Sequence, residues 1–233
     1  MYQLGCGKTA LCLLNSYKGP CVNGVIIISC FTCFSVNLPE IDLTFAISAT
    51  SVEADSTIML MRNTINSIIQ QYGTDRIHYS VIIFGSVATT HFDFSNAPPD
   101  QDDLIRRVGR LPIADGRPDL VKALEDAKRV YELQEVRPNA RRVLVVIMDN
   151  SSVSNEVDLK KAVHALVNNS VFIIGVGVGS GINPKDLEII TREIRHIIKV
   201  GINKSPNELA EEIMKIIDLG IRSKFICFKK KQF

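Results

Sequence analysis

The chain has 233 residues, 46% of them hydrophobic and 22% charged, which is enough apolar mass for one good-sized core rather than two. Its formal net charge is +2, without the strong basic imbalance or basic stripe of a nucleic-acid binder, so that class is excluded. The one positive cluster, Lys229-Lys230-Lys231, reads as part of a solvated basic tail over 223–233.

In chain order, residues 1–37 stand apart. Lys8 and Lys18 are their only charges, and no acidic residue precedes Glu40. The apolar run "GVIIISCFTCFSV" (24–36) is shorter than the roughly 20 residues of a membrane-spanning helix. It suits the hydrophobic region of a secretory signal, with Cys33 and Ser35 near a cleavage point. A signal-anchor, a buried strand or a plain extension stay open as alternatives, and membrane attachment is expected only if the segment is an uncleaved anchor. "GCGKT" (5–9) resembles a phosphate-binding loop, but Tyr2 stands where the first glycine of that loop belongs, and no apolar strand precedes it.

From Leu38 onward, strand and helix patterns alternate. "IDLTFAIS" (41–48) predicts a buried strand. Residues 54–73 place Ile58, Met61, Ile65, Ile68 and Ile69 at helical spacing, with Gly73 as C-cap. "RIHYSVIIFG" (76–85) and the alternating "VATTHFDF" (87–94) predict two strands joined by a tight hairpin at Gly85-Ser86. Helices are predicted over 100–111 and 118–133, the second with Pro118 in its first turn. "RRVLVVIMD" (141–149) and "SVFIIGVGVG" (170–179) predict central parallel strands, with an amphipathic helix over 155–169 between them. A helix over 183–194, a short strand over 196–200 and a helix over 205–220, ended by Gly220, complete the pattern.

Strands separated by helices imply βαβ units. The expected fold is therefore α/β: a Rossmann-like, doubly wound, mainly parallel six-stranded sheet with 87–94 as an antiparallel edge strand and helices on both faces. Ligands of such sheets bind beyond the carboxyl ends of the strands. Here that edge carries Ser48-Ala49-Thr50-Ser51, Gly116-Arg117-Pro118-Asp119, Asp149-Asn150-Ser151 and Gly177-Val178-Gly179.

The first strand "IDLTFAIS", the "YSVIIFGS" strand with its hairpin, "LVKALEDA", "RRVLVVIMDN" and "FIIGVGVG", in this order and at these spacings, resemble a von Willebrand factor type A domain. The resemblance runs from Leu38 to Arg222. It implies a Rossmann-like sheet and, in many members, a metal-ion-dependent adhesion site. That site uses Asp-x-Ser-x-Ser after the first strand, a threonine before the third helix and an aspartate ending the fourth strand. The metal is typically magnesium, which takes near-octahedral oxygen ligands. Carried onto this chain, the first aspartate is Ser48, the first serine Thr50 and the second Val52, with Ser51 beside it. The threonine position falls on Pro118, the final aspartate is Asp149, and Asn150 replaces the family's usual glycine after it. Asp115, Asp119 and Glu53 lie near in sequence but out of register. One matched carboxylate is too little for a hard divalent cation, so no metal and no other cofactor are expected. Ser48 and Thr50 are then expected to hydrogen-bond within their loop, and Asp149 to be held by backbone N–H groups.

No enzyme constellation accompanies these residues. His78, His91, His164 and His196 fall on different elements. "GVGVG" (175–179) has Ser180 where a dinucleotide fingerprint needs glycine, so it reads as a closely packed strand. Ser151 and Ser152 lack the Gly-x-Ser-x-Gly elbow. Cysteines occur at 6, 12, 21, 30, 33 and 227, none at a zinc-site spacing; pairing Cys30 or Cys33 with Cys227 would require an oxidising compartment. Asn150, Asn168 and Asn203 begin Asn-x-Ser glycosylation triplets.

The resemblance implies a non-enzymatic module, secreted to the extracellular matrix or cell surface. Its partner would be a protein, with collagen or another matrix component as candidates, and no small-molecule or nucleic-acid ligand. The candidate binding face is Ser48, Thr50, Ser51, Pro118, Asp119, Asp149 and Asn150. An intracellular scaffolding module of the same family is the alternative.

Overall fold

The computed structural model describes residues 39–51 and 53–229, with side chains up to Gly220. The expectations for residues 1–37, for Val52 and for the cysteine pairings lie outside that description.

The elements run β1 (Ile41–Ser48), α1 (Ala54–Tyr72), β2 (Ile77–Phe84), β3 (Ala88–Phe92), α2 (Gln101–Gly109), α3 (Leu120–Tyr131), β4 (Arg141–Asn150), α4 (Glu156–Asn168), β5 (Phe172–Gly181), α5 (Pro184–Thr191), β6 (Ile197–Val200) and α6 (Pro206–Lys229). One six-stranded sheet has the order β3-β2-β1-β4-β5-β6. All neighbours pair in parallel except β2 and β3, so β3 is the antiparallel edge strand. This is the doubly wound sheet that the strand–helix alternation implies.

Alternation of side chains along each strand splits the core into two layers. Phe45 and Ile47 of β1, with Val145 and Ile147 of β4, face α1, α2 and α6. Ala46 of β1, with Val146 and Met148 of β4, faces α3, α4 and α5. Val145, Val146, Ile147, Ile173 and Ile174 are all buried, as a strand covered on both faces requires. Gly175 and Gly177 of β5 let α5 approach: a Cβ on either would come within 3.1 Å of the Leu187 side chain. That is the close packing expected of "GVGVG".

The lower edge of the sheet is tied by an ion pair. Asp42 is fully buried and accepts bonds from the Arg137 backbone N–H and Nε, each at 2.9 Å. Arg137 Nη2 also donates to the Ile41 carbonyl at 2.7 Å, so the β1 entrance and the α3–β4 connection are held together.

Two end signals differ from the sequence reading. Asp119 is the N-cap of α3, accepting from the Val121 and Lys122 backbone N–H groups, so Pro118 lies before the helix rather than in its first turn. Gly220 does not cap α6, which runs on to Lys229 through part of the expected tail. A Cβ at 220 would lie 2.8 Å from the Phe172 ring, so this glycine makes room for an aromatic contact. Gly73, by contrast, caps α1 as read, with φ +68° and its N–H on the Ile69 carbonyl.

Candidate functional site

From β1 the chain winds outward to β2 and β3, then returns to the other side of β1 to form β4. The winding therefore reverses between β1 and β4, which is where doubly wound sheets open a crevice at their carboxyl ends. Parallel pairing sets Ser48 beside Met148. The residues that follow, Thr50 and Ser51 on one side and Asp149 on the other, meet across this point.

Asp149 is 3% exposed, and its carboxylate is spent on the β1–α1 loop. The Thr50 backbone N–H donates to Oδ1 at 2.9 Å and to Oδ2 at 3.0 Å. The Ser51 backbone N–H donates to Oδ2 at 3.1 Å, and Ser51 Oγ at 2.9 Å. Thr50 Oγ1 lies farther off, at 3.4 Å from Oδ1. Asp149 is thus held by backbone N–H groups. Thr50 bonds across to β4 rather than within its own loop, and Ser48 departs from expectation altogether: its Oγ is buried and has no hydrogen-bond partner. Ser48 closes a strand whose every residue is buried, which keeps its hydroxyl away from the loop that follows.

Pro118 is buried and contributes only its carbonyl, which accepts from the Val153 N–H at 2.8 Å. Asp119 is committed to capping α3 and accepts from Ser154 Oγ at 2.7 Å, with Lys122 Nζ 3.7 Å from its other oxygen. Asp115 and Glu53 are exposed. Asn150 ends β4 half-buried, its Oδ1 accepting from the Ser151 N–H at 2.9 Å. Asn168 and Asn203 are exposed.

The rim of the crevice is tied together by backbone hydrogen bonds. Ser86 N–H donates to the Asp115 carbonyl at 2.8 Å, and Asp119 N–H to the Gly85 carbonyl at 2.9 Å. Gly85 permits this approach, since a Cβ there would sit 2.0 Å from the Asp115 carbonyl oxygen. The β4–α4 loop adds residues that the sequence reading missed. Ser152 Oγ accepts from the Leu120 N–H at 3.1 Å, and the Ser152 N–H donates to Asp186 Oδ2 at 2.9 Å. Burial raises the Asp186 pKa above its ordinary value, and the Ser152 hydrogen bond opposes the shift. The signals were present as Ser152-x-Ser154 after a strand and Asn183-Pro184 opening a helix. Exposed apolar side chains stand on the same rim: Val87 at 61%, Ile113 at 41% and Val153 at 48%. Among the described residues, no group of three or more His, Cys, Asp or Glu side chains is placed to hold a metal ion.

Comparison with known proteins accords with this fold. Mouse (Mus musculus) integrin alpha-M is 22% identical over 193 residues, covering 76% of this chain and 16% of the integrin. The chain therefore spans a minor part of that relative. Proximal thread matrix protein 1 from the mussel byssus, solved with a zinc-occupied MIDAS motif, superposes with a TM-score of 0.67 at 20% identity, over 77% of this chain and 46% of that one. The manganese-loaded Plasmodium vivax TRAP protein superposes with a TM-score of 0.62 at 19% identity, over 75% of this chain and 72% of that one. At such identities these superpositions speak to the fold. Residues 42–212 match the family model of the von Willebrand factor type A domain, and the chain belongs to that family.

Proposed function

We propose that this domain is a non-enzymatic, secreted module that binds a protein partner at the carboxyl edge of its sheet without a metal ion. The family is one of protein-interaction modules, and the relatives include an adhesion receptor and a byssal matrix protein. The observation that carries the metal-free reading is the Asp149 carboxylate, whose oxygens already accept bonds from Thr50 and Ser51. With Ser48 in place of the aspartate and Pro118 in place of the threonine, the donor set does not fit a hard divalent cation. The exposed Val87, Ile113 and Val153 offer apolar area of the kind a protein partner covers. In this reading residues 38–222 are the module, residues 1–37 a cleaved secretory segment and residues 223–233 a basic C-terminal extension. Of the candidate residues, Thr50, Ser51, Asp119 and Asn150 are partly exposed and form the face, with collagen or another matrix protein as partner; Ser48, Pro118 and Asp149 are buried and support it from behind.

The test is binding of the secreted chain to immobilised matrix proteins, fibrillar collagen included, in magnesium and in EDTA. Equal binding in both is expected. A ligand of the folded state stabilises it by RT ln(1 + [L]/Kd), which is below about 0.1 kcal/mol at ~1 mM magnesium if Kd exceeds ~10 mM. No measurable rise in melting temperature is therefore expected either. Binding abolished by EDTA, or a clear magnesium-dependent rise, would overturn the metal-free reading.

A further inference from the structure

The fold treats the three Asn-x-Ser triplets differently. Asn203 lies exposed in the turn between β6 and α6, which the Lys204 N–H closes on the Gly201 carbonyl at 3.1 Å. That turn follows the carboxyl end of β6, three strands along the sheet from β1. At ~4.8 Å per strand it stands roughly 12 Å to the side of the β1–β4 crevice. Asn168 is the last residue of α4 and is exposed. Its chain turns directly into β5, so it lies at the opposite end of the sheet from the crevice. Its Nδ2 lies 3.2 Å from His164 Nδ1 on the same helix face. Asn150 is the contrary case. It sits in the middle of the crevice edge, half-buried, with its Oδ1 taking the Ser151 N–H. Ser151 Oγ then donates to the Gly181 carbonyl at 2.8 Å, drawing the β4–α4 loop onto the end of β5. Gly181 is itself so close that a Cβ there would lie 2.8 Å from the Asp149 carbonyl oxygen and 3.5 Å from Asn150 Oδ1. A glycan on Asn150 would stand on a half-buried side chain whose Oδ1 holds the Ser151 N–H beside Gly181.

We propose that the chain carries N-linked oligosaccharide at Asn168 and Asn203 and leaves Asn150 bare, so that sugar stands at the far end of the sheet and to the side of the crevice without occupying it. This rests on the secretory reading above. The donor is a lipid-diphosphate oligosaccharide. The asparagine Nδ2 forms a bond to the anomeric carbon as the carbon–oxygen bond to the diphosphate breaks; the amide loses one proton and the lipid diphosphate departs.

The test uses the full chain in two forms, one behind a foreign secretory leader and one with its own N-terminus. Peptide mapping after amidase treatment reads each site, because removal of the glycan leaves aspartate where asparagine was occupied. With the foreign leader, conversion at Asn168 and Asn203 and none at Asn150 is expected. Asn168→Gln and Asn203→Gln should each remove one glycan from the intact mass, and Asn150→Gln none. Glycan on Asn150, or a bare Asn168 or Asn203, overturns the proposal. Retention of the chain with its own N-terminus inside the cell, unprocessed, sinks the secretory reading instead and leaves the site assignment from the other form standing.

Discussion

Replacing Asp149 by alanine removes the acceptor on which the β1–α1 loop rests. Two backbone N–H groups and the Ser51 hydroxyl lose their partner at once, at contacts of 2.9–3.1 Å. A hydrogen bond to a charged group contributes about 1.5–3 kcal/mol, and a buried donor left unpaired costs about 1–3 kcal/mol. Thr50 and Ser51 are half-buried, so water replaces part of what is lost. The expected net cost is therefore about 3 kcal/mol, toward the lower end of a simple sum. For a domain of this size each kcal/mol lowers the melting temperature by about 2–4 °C, so a fall of about 6–12 °C is expected. Ser51→Ala should cost about 1 kcal/mol, because it deletes one bond to Asp149 and the Ser51 Oγ acceptor of the Glu53 N–H. Asp149→Asn should recover only part of the loss, since its Oδ1 still accepts on one side while its Nδ2 meets N–H donors on the other. Thermal melts followed by circular dichroism, with and without magnesium, provide the assay. An Asp149→Ala protein melting within about 2 °C of the parent would show that the latch carries no stability. A magnesium-dependent rise in the parent that is lost in Asp149→Ala would show that the crevice holds metal after all.

The remaining expectations concern the frame around the crevice. Arg137→Met leaves the fully buried Asp42 without its guanidinium partner, keeping only the backbone N–H of residue 137, and should cost about 3 kcal/mol in urea denaturation, whereas pairing it with Asp42→Leu should recover most of that loss. Gly85→Ala forces a Cβ onto the Asp115 carbonyl oxygen and should destabilise by at least about 2 kcal/mol; a neutral result would show that the loop does not need this contact. Burial lowers the pKa values of His78, His91 and His196 below the ordinary 6.5, with Arg137 and Arg107 adding to the shift at the first two. The folded state thus takes up these protons less readily than the unfolded chain, so stability is full above about pH 6.5 and falls as pH drops through the depressed values. The urea midpoint should decline from pH 7 to pH 5, and the decline should shrink in a variant with all three histidines replaced by asparagine. An unchanged slope in that variant would assign the acid sensitivity elsewhere.

The sequence alone determined the order of elements, the two-sided burial of β1, β4 and β5 and the antiparallel edge, because apolar periodicity and continuous apolar runs are local properties of a chain. The family resemblance also set Ser48 where the metal site has a carboxylate and Pro118 where it has a hydroxyl, since residue identities need no coordinates. Where local signals were ambiguous it misled. Gly220 has the residue type of a helix cap, but the ring that requires a glycine there belongs to Phe172, on another element. Pro118 suits a first turn, yet Asp119 captures the helix N-terminus one residue later. What only the tertiary structure decided is the fate of Asp149. Its partners Thr50 and Ser51 are 99 and 98 residues away along the chain, and the parallel register of β1 against β4 brings them within hydrogen-bonding distance. The same register leaves the Ser48 hydroxyl buried without a partner, an outcome that depends on everything packed around the end of β1 and on no pattern within it.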